Sequence, residues 1–152
     1  MKLQNIIGDQ LCLEILGYQF PDILDQYWDS NWLNVRMIGG NLAGGWMFND
    51  PFLLTFEIDR LASWLEKIPA AKSSNLRISF TEPSLRFRLT KYKNQRHWLE
   101  VDLGYAFRKR IPDVFRKHRT IQFYFRVTDL DLFYQAYLLR EQLKKYPQRV
   151  FR

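Results

Sequence analysis

The chain has 152 residues, 47% of them hydrophobic and 16% aromatic, and carries a net charge of +7. That length suits one domain over 1–152 with a core of its own, and so many aromatic residues exclude a disordered chain. Cys12 is the only cysteine, which excludes an intramolecular disulfide, and no apolar run approaches the roughly 20 residues of a membrane helix. No leader-like start is visible, so the expected location is the cytoplasm, with no membrane partner.

The charge is unevenly placed. Residues 1–60 hold three basic and eight acidic side chains, a balance of −5, and 61–152 hold 20 basic and eight acidic, a balance of +12. Within 86–126 the count is 12 basic against three acidic. Such asymmetry points to an anionic partner or to a dipolar surface.

In chain order, a short strand is expected near 2–7, and Gly8-Asp9 closes a hairpin to a strand in which Leu11, Leu13 and Ile15 alternate with Cys12 and Glu14. A loop with Asp22, Asp25, Tyr27, Trp28 and Asp29 follows. Leu33, Val35 and Met37 mark the next strand, Gly39-Gly40 and Gly44-Gly45 bracket a glycine-rich connection, and 45–49 forms another short strand. Ile58, Leu61, Leu65 and Ile68 recur at helical spacing, which predicts a helix over about 56–68 with Thr55 as its cap and Pro69 as its stop.

Alternation then resumes at 76–80, at 85–89 after the Glu82-Pro83-Ser84 bend, and at 99–103 after a polar loop from Lys91 to Gln95. Residues 104–118 lack periodicity and read as a mobile loop. Ile121 to Val127 alternate once more. A second helix follows over about 129–145. Thr128 caps it with Asp131 three residues on, Leu132, Ala136, Leu139 and Leu143 form its stripe, and Pro147 ends it. The order predicts an α+β fold: a single large, curled antiparallel sheet of about eight strands with two helices on its apolar face.

No catalytic constellation emerges, so the chain reads as non-enzymatic. Cys12, His97 and His118 lack metal-type spacing, which leaves no metal site or cofactor expected. G-x-S-x-G, phosphate-loop and dinucleotide motifs are absent. His97 falls on the apolar side of its strand and reads as a packed, hydrogen-bonded histidine, while His118 sits in a basic cluster. That cluster repeats: Phe107-Arg108-Lys109-Arg110 is echoed by Phe115-Arg116-Lys117-His118-Arg119. Arg77, Arg86, Arg88, Arg96 and Arg126 share the polar sides of their strands with Trp98 and Tyr124. Arginines interleaved with aromatics suit single-stranded nucleic acid, and they equally suit a solvated sheet face.

Several phrases in order resemble a known family: LEILGYQFP at 13–21, DSNWL at 29–33, FNDPFLLTFEIDRLASWL at 48–65, ISFTEPSLRFRL at 78–89 and LREQLKKYPQR at 139–149. They are similar to the WapI-type bacterial immunity proteins. The resemblance implies a protein that binds and occludes the C-terminal toxin domain of a cognate polymorphic toxin, often a nuclease, without catalysis. Three readings stay open. The acidic segment, with Asp22, Asp25, Tyr27, Trp28 and Asp29, forms the binding surface. Or an acidic partner meets 104–119. Or the chain serves elsewhere, as a nucleic-acid-binding accessory protein using Arg86, Arg88, Arg108, Lys109, Arg110, Arg116, Lys117 and Arg119. Trp32, Trp64 and Pro83 read as fold determinants.

Overall fold

The structure, a computed structural model, describes residues 1–115 and 121–150, with Arg108 and Val114 described by backbone only. Among them the elements run β1 (Lys2–Gln4), β2 (Gln10–Tyr18), β3 (Trp32–Asn41), β4 (Gly44–Leu54), α1 (Thr55–Lys67), β5 (Asn75–Ser79), β6 (Leu85–Lys91), β7 (Arg96–Leu103), β8 (Ile121–Thr128) and α2 (Asp129–Lys145). All strand pairs are antiparallel.

The α+β class and the strand number match expectation, but the single curled sheet does not. The strands form two four-stranded meanders, β1-β2-β3-β4 and β5-β6-β7-β8. Alternation tells which face of a strand is buried and leaves open which strand lies beside it. Here α1 intervenes between β4 and β5, and those two strands do not pair. At β1 and β8 the sheets meet through a side chain: Asn5 Nδ2 donates to the Tyr124 carbonyl at 3.0 Å.

Each sheet turns one face inward. Leu11, Leu13, Val35 and Met37 from the first, and Phe87, Leu99, Val101 and Phe125 from the second, join one continuous hydrophobic cluster. Each such fully buried side chain contributes roughly 1.5–3 kcal/mol of transfer free energy, against about 0–1 kcal/mol for an exposed ion pair. The apolar pattern therefore decides the fold. Gly39 and Gly40 belong to β3, and the turn itself is confined to Leu42 and Ala43. Gly39 serves packing, since a Cβ there would lie 2.1 Å from the Trp46 ring.

Helix α1 buries Ile58, Leu61, Ala62 and Leu65. Its cap differs from expectation. Leu54 is the N-cap, and the Glu57 carboxylate turns back to accept the Leu54 N–H at 3.1 Å. Thr55, already helical, donates its hydroxyl to Asn31 Oδ1 at 2.6 Å. At the other end Lys91 Nζ donates to the carbonyls of Ile68, Pro69 and Ala71, which suits a helix C-terminus. Helix α2 follows its prediction: Thr128 Oγ1 accepts the Asp131 N–H, and the Asp131 carboxylate accepts the Thr128 N–H at 2.7 Å. Leu132, Ala136 and Leu139 are buried and Leu143 packs beside them. Arg140 ties α2 to α1, meeting Glu66 and Asp59 at 2.7 Å each. Its hydrogen bond holds the Glu66 carboxyl below its ordinary value.

Residues 104–115 are not the mobile loop expected from their lack of periodicity. Two 3-10 turns, Tyr105–Arg110 and Asp113–Phe115, bury Phe107, Ile111 and Phe115 in the core. Phe107 lies 4.9 Å from Phe48 and 5.0 Å from Phe52, ring centre to ring centre. The eight-residue echo of Phe107 and Phe115 is thus a pair of anchors. His97 is buried as expected, with Nε2 2.7 Å from Asp129 Oδ1.

Candidate partner-binding surface

The loop between β2 and β3 is held from beneath by buried polar groups. Asn31 is completely buried and works as a hub. Its Nδ2 donates to the carbonyls of Tyr27 (2.8 Å) and Val150 (3.3 Å), and its Oδ1 accepts from Thr55 Oγ1 (2.6 Å) and the Arg149 N–H (3.0 Å). The Arg149 guanidinium lies 3.4 Å from the centre of the Tyr18 ring and donates to the carbonyls of Phe20, Pro21 and Ile23. Gln26 and Ser30 exchange a further pair of hydrogen bonds. A backbone with this many fixed partners keeps its shape when a partner docks.

What the loop shows to the surface is acidic and aromatic. Asp22 and Asp25 are exposed and Asp29 is half-buried. Among the described residues no hydrogen bond or ion pair reaches these three carboxylates. Tyr27 stacks on Phe56 at 5.1 Å, and Trp28 meets both rings edge-on at 5.2 and 5.9 Å. Trp28 remains 43% exposed on top of that cluster. Phe20 and Leu24 add apolar surface beside the carboxylates. The five residues proposed from sequence therefore share one braced loop. Phe56 was missed, although an aromatic off the buried stripe in the first turn of α1 is a visible signal.

The phrases carrying the family resemblance hold this frame. Asn31 comes from DSNWL. Glu57, from the FNDPFLL phrase, is buried and accepts the Thr81 N–H of SFTEP at 2.6 Å as well as the Leu54 N–H. From LREQLKKYPQR, Gln142 accepts the Ile15 N–H at 2.6 Å, Tyr146 donates to the Leu16 carbonyl at 3.1 Å, and Arg140 and Arg149 act as above. Trp32 opens β3 and Trp64 packs partly buried against the core.

The basic alternative is more dispersed. Arg86 and Arg88 are exposed on the outer face of the second sheet, where Arg88 pairs with Glu100 at 3.8 Å. Lys109 is exposed, and Arg110 reaches Asp50 at 3.1 Å. The side chains of Arg108, Arg116, Lys117, His118 and Arg119 lie outside the described residues. Trp98 and Tyr124 stand 45% and 46% exposed among these arginines. Cys12 and His97 sit in different sheets. Among the described residues no group of three His, Cys, Asp or Glu is placed to hold a metal, and no helix is long and apolar enough to cross a membrane.

Two antiparallel meanders, a pair of packed helices and a surface loop braced by Asn31 and Arg149 define an α+β scaffold. The family model for immunity proteins of the WapI-like family matches residues 2–147, and the chain belongs to that family. Membership suggests a toxin-immunity role. Comparison with curated proteins gave no match, and neither did comparison with solved structures.

Proposed function

We propose that this chain is a non-enzymatic immunity protein that binds the toxic domain of a cognate protein toxin and blocks it by occupancy, with the loop of Asp22, Asp25, Tyr27, Trp28 and Asp29 as the contact. The observation that carries this reading is the braced loop itself. Asp22, Asp25 and Asp29, whose carboxylates have no hydrogen-bond or ion-pair partner among the described residues, share the loop with a half-exposed tryptophan, and the backbone beneath them is held by hydrogen bonds. Carboxylates steer a basic partner and fix its orientation, while a central aromatic supplies affinity. A nuclease, whose substrate is a polyanion, presents the complementary basic surface, so a nuclease toxin is the partner this loop fits best. The cytoplasm is the compartment such a role requires.

The test is titration of the partner toxin domain with variants of the full chain. Reversing Asp22, Asp25 and Asp29 to Lys slows association and weakens binding, and Trp28→Ala weakens binding by about 2 kcal/mol, as for an interface hot spot. Unchanged affinity in both folded variants would move the contact elsewhere. A second reading rests on Trp98 and Tyr124, exposed on an arginine face: binding of single-stranded nucleic acid. Its signature is an affinity for oligonucleotides that falls steeply with salt.

A further inference from the structure

Helix α2 meets solvent with an apolar face. Its inner stripe of Leu132, Ala136 and Leu139 is spent on the core. On the opposite side Leu130, Phe133, Tyr134 and Tyr137 fall at i, i+3, i+4 and i+7, and they stand 77%, 46%, 56% and 55% exposed. We propose that two copies of this chain associate through that outer stripe, with their α2 helices antiparallel across a twofold axis. The inference goes beyond the toxin contact and does not depend on what the acidic loop binds.

A surface helix ordinarily turns charged and polar residues outward. Here a leucine and three aromatic rings occupy that place. Tyr134 and Tyr137 lean on each other, with ring centres 6.4 Å apart and 24° between their planes. Side-chain contacts at i, i+3 steady a helix but leave the outer ring faces in water. Taking about 200 Å² for a whole aromatic side chain, the stripe exposes roughly 400 Å² of apolar surface. That is the scale at which interaction sites occur.

Charge selects a second copy as the occupant. Helix α2 carries Asp129 and Asp131 in its first turn and Lys144 and Lys145 in its last. Parallel helices would set like charges side by side. An antiparallel pair sets the acidic end of each against the basic end of the other and opposes their dipoles. Asp131 caps its own helix and is still exposed. Lys144 pairs with Glu141, an exposed ion pair that costs little to exchange, and Lys145 has no ion pair among the described residues. Tyr137 is the midpoint of the helix, so full antiparallel overlap places it on the twofold axis against its own copy. The same overlap lays the stem of Lys144 over Leu130 of the second copy. A face that complements itself in this way is what a twofold interface requires. The net charge of +7 opposes association at a distance, but physiological salt screens it beyond about 8 Å. The stripe supplies roughly half of the ~800 Å² that each partner gives to a stable complex, so association is weak, with a dissociation constant on the order of micromolar or above.

The test is sedimentation equilibrium of the full chain over a concentration range reaching about 500 μM. The expected result is a mass that rises with concentration toward twice 18.4 kDa. Tyr137→Glu, which sets two like charges on the axis, weakens association at least about tenfold while circular dichroism and the unfolding midpoint stay unchanged. Orientation is read by oxidative cross-linking in a Cys12→Ser background. Tyr137→Cys yields a disulfide-linked dimer. Leu130→Cys does not, because seven residues from the axis leave the two copies about 20 Å apart, beyond disulfide reach. A chain that stays monomeric throughout would overturn the proposal, as would a dimer indifferent to Tyr137→Glu or one cross-linked equally through Leu130→Cys. So would a monomer whose affinity for the toxin domain falls with Tyr137→Glu, which would assign the stripe to that contact.

Discussion

Asn31 shows how one residue can set a surface. Every polar atom of its amide is engaged, and its partners come from the loop, from α1 and from the C-terminal tail. Asn31→Ala leaves the Thr55 hydroxyl and the Arg149 N–H without the acceptor they share. The expected cost is about 1–3 kcal/mol, the penalty for buried polar groups left unsatisfied. Urea unfolding measures it. Because the same residue braces the loop, partner affinity should fall as well, even at temperatures where the variant is fully folded. None of this was visible in the sequence. Asn31 and Arg149 lie 118 positions apart, and no periodicity marks a buried hydrogen-bond hub. The sequence marks Asp-Ser-Asn-Trp-Leu only as one of an ordered set of phrases, and the structure shows what its Asn31 holds together.

Elements were legible where a stripe or an alternation ran long enough. Helix α2 occupies the predicted residues with the predicted cap, and β2, β3 and β8 bury the predicted sides. The split into two sheets and the anchoring of 104–115 depend on which distant element lies alongside, and a local pattern carries no such information. The Leu54 cap is local, set by Glu57 three residues on, and Thr55 is one position inside the helix. Two outcomes test the element scale. Leu132→Ala, in the buried stripe of α2, should cost about 2–5 kcal/mol by denaturant unfolding, since it removes a core side chain and leaves a cavity. Arg140→Ala should cost about 1 kcal/mol, because its carboxylate partners are partly exposed. The pH dependence follows from Glu66. Its carboxyl is depressed in the folded state, so this stabilisation is present above the ordinary value of 4.5 and is lost as pH falls through the folded-state value. An acid titration of stability should be steeper for the parent chain than for Arg140→Ala in that window.

At the scale of the molecule the two sheets divide the charge. The first, with its acidic loop, belongs to the segment of balance −5, and the second to the segment of balance +12. A dipolar body orients an approaching partner before contact, so association should slow with added salt, while a complex centred on Trp28 and its aromatic neighbours should dissociate at a rate that salt changes little. Nucleic acid on the arginine face behaves differently, since its affinity collapses as counterions are restored. The most direct test is therefore capture of partners from the native cell on the immobilised chain, washed at low and then moderate salt. The captured protein is then expressed alone and together with this chain. The account predicts a protein that survives the wash, arrests growth when expressed alone, and is neutralised by the parent chain but not by the variant with Asp22, Asp25 and Asp29 reversed. Recovery of nucleic acid alone, released as salt rises, or neutralisation that is indifferent to those three residues, would contradict it.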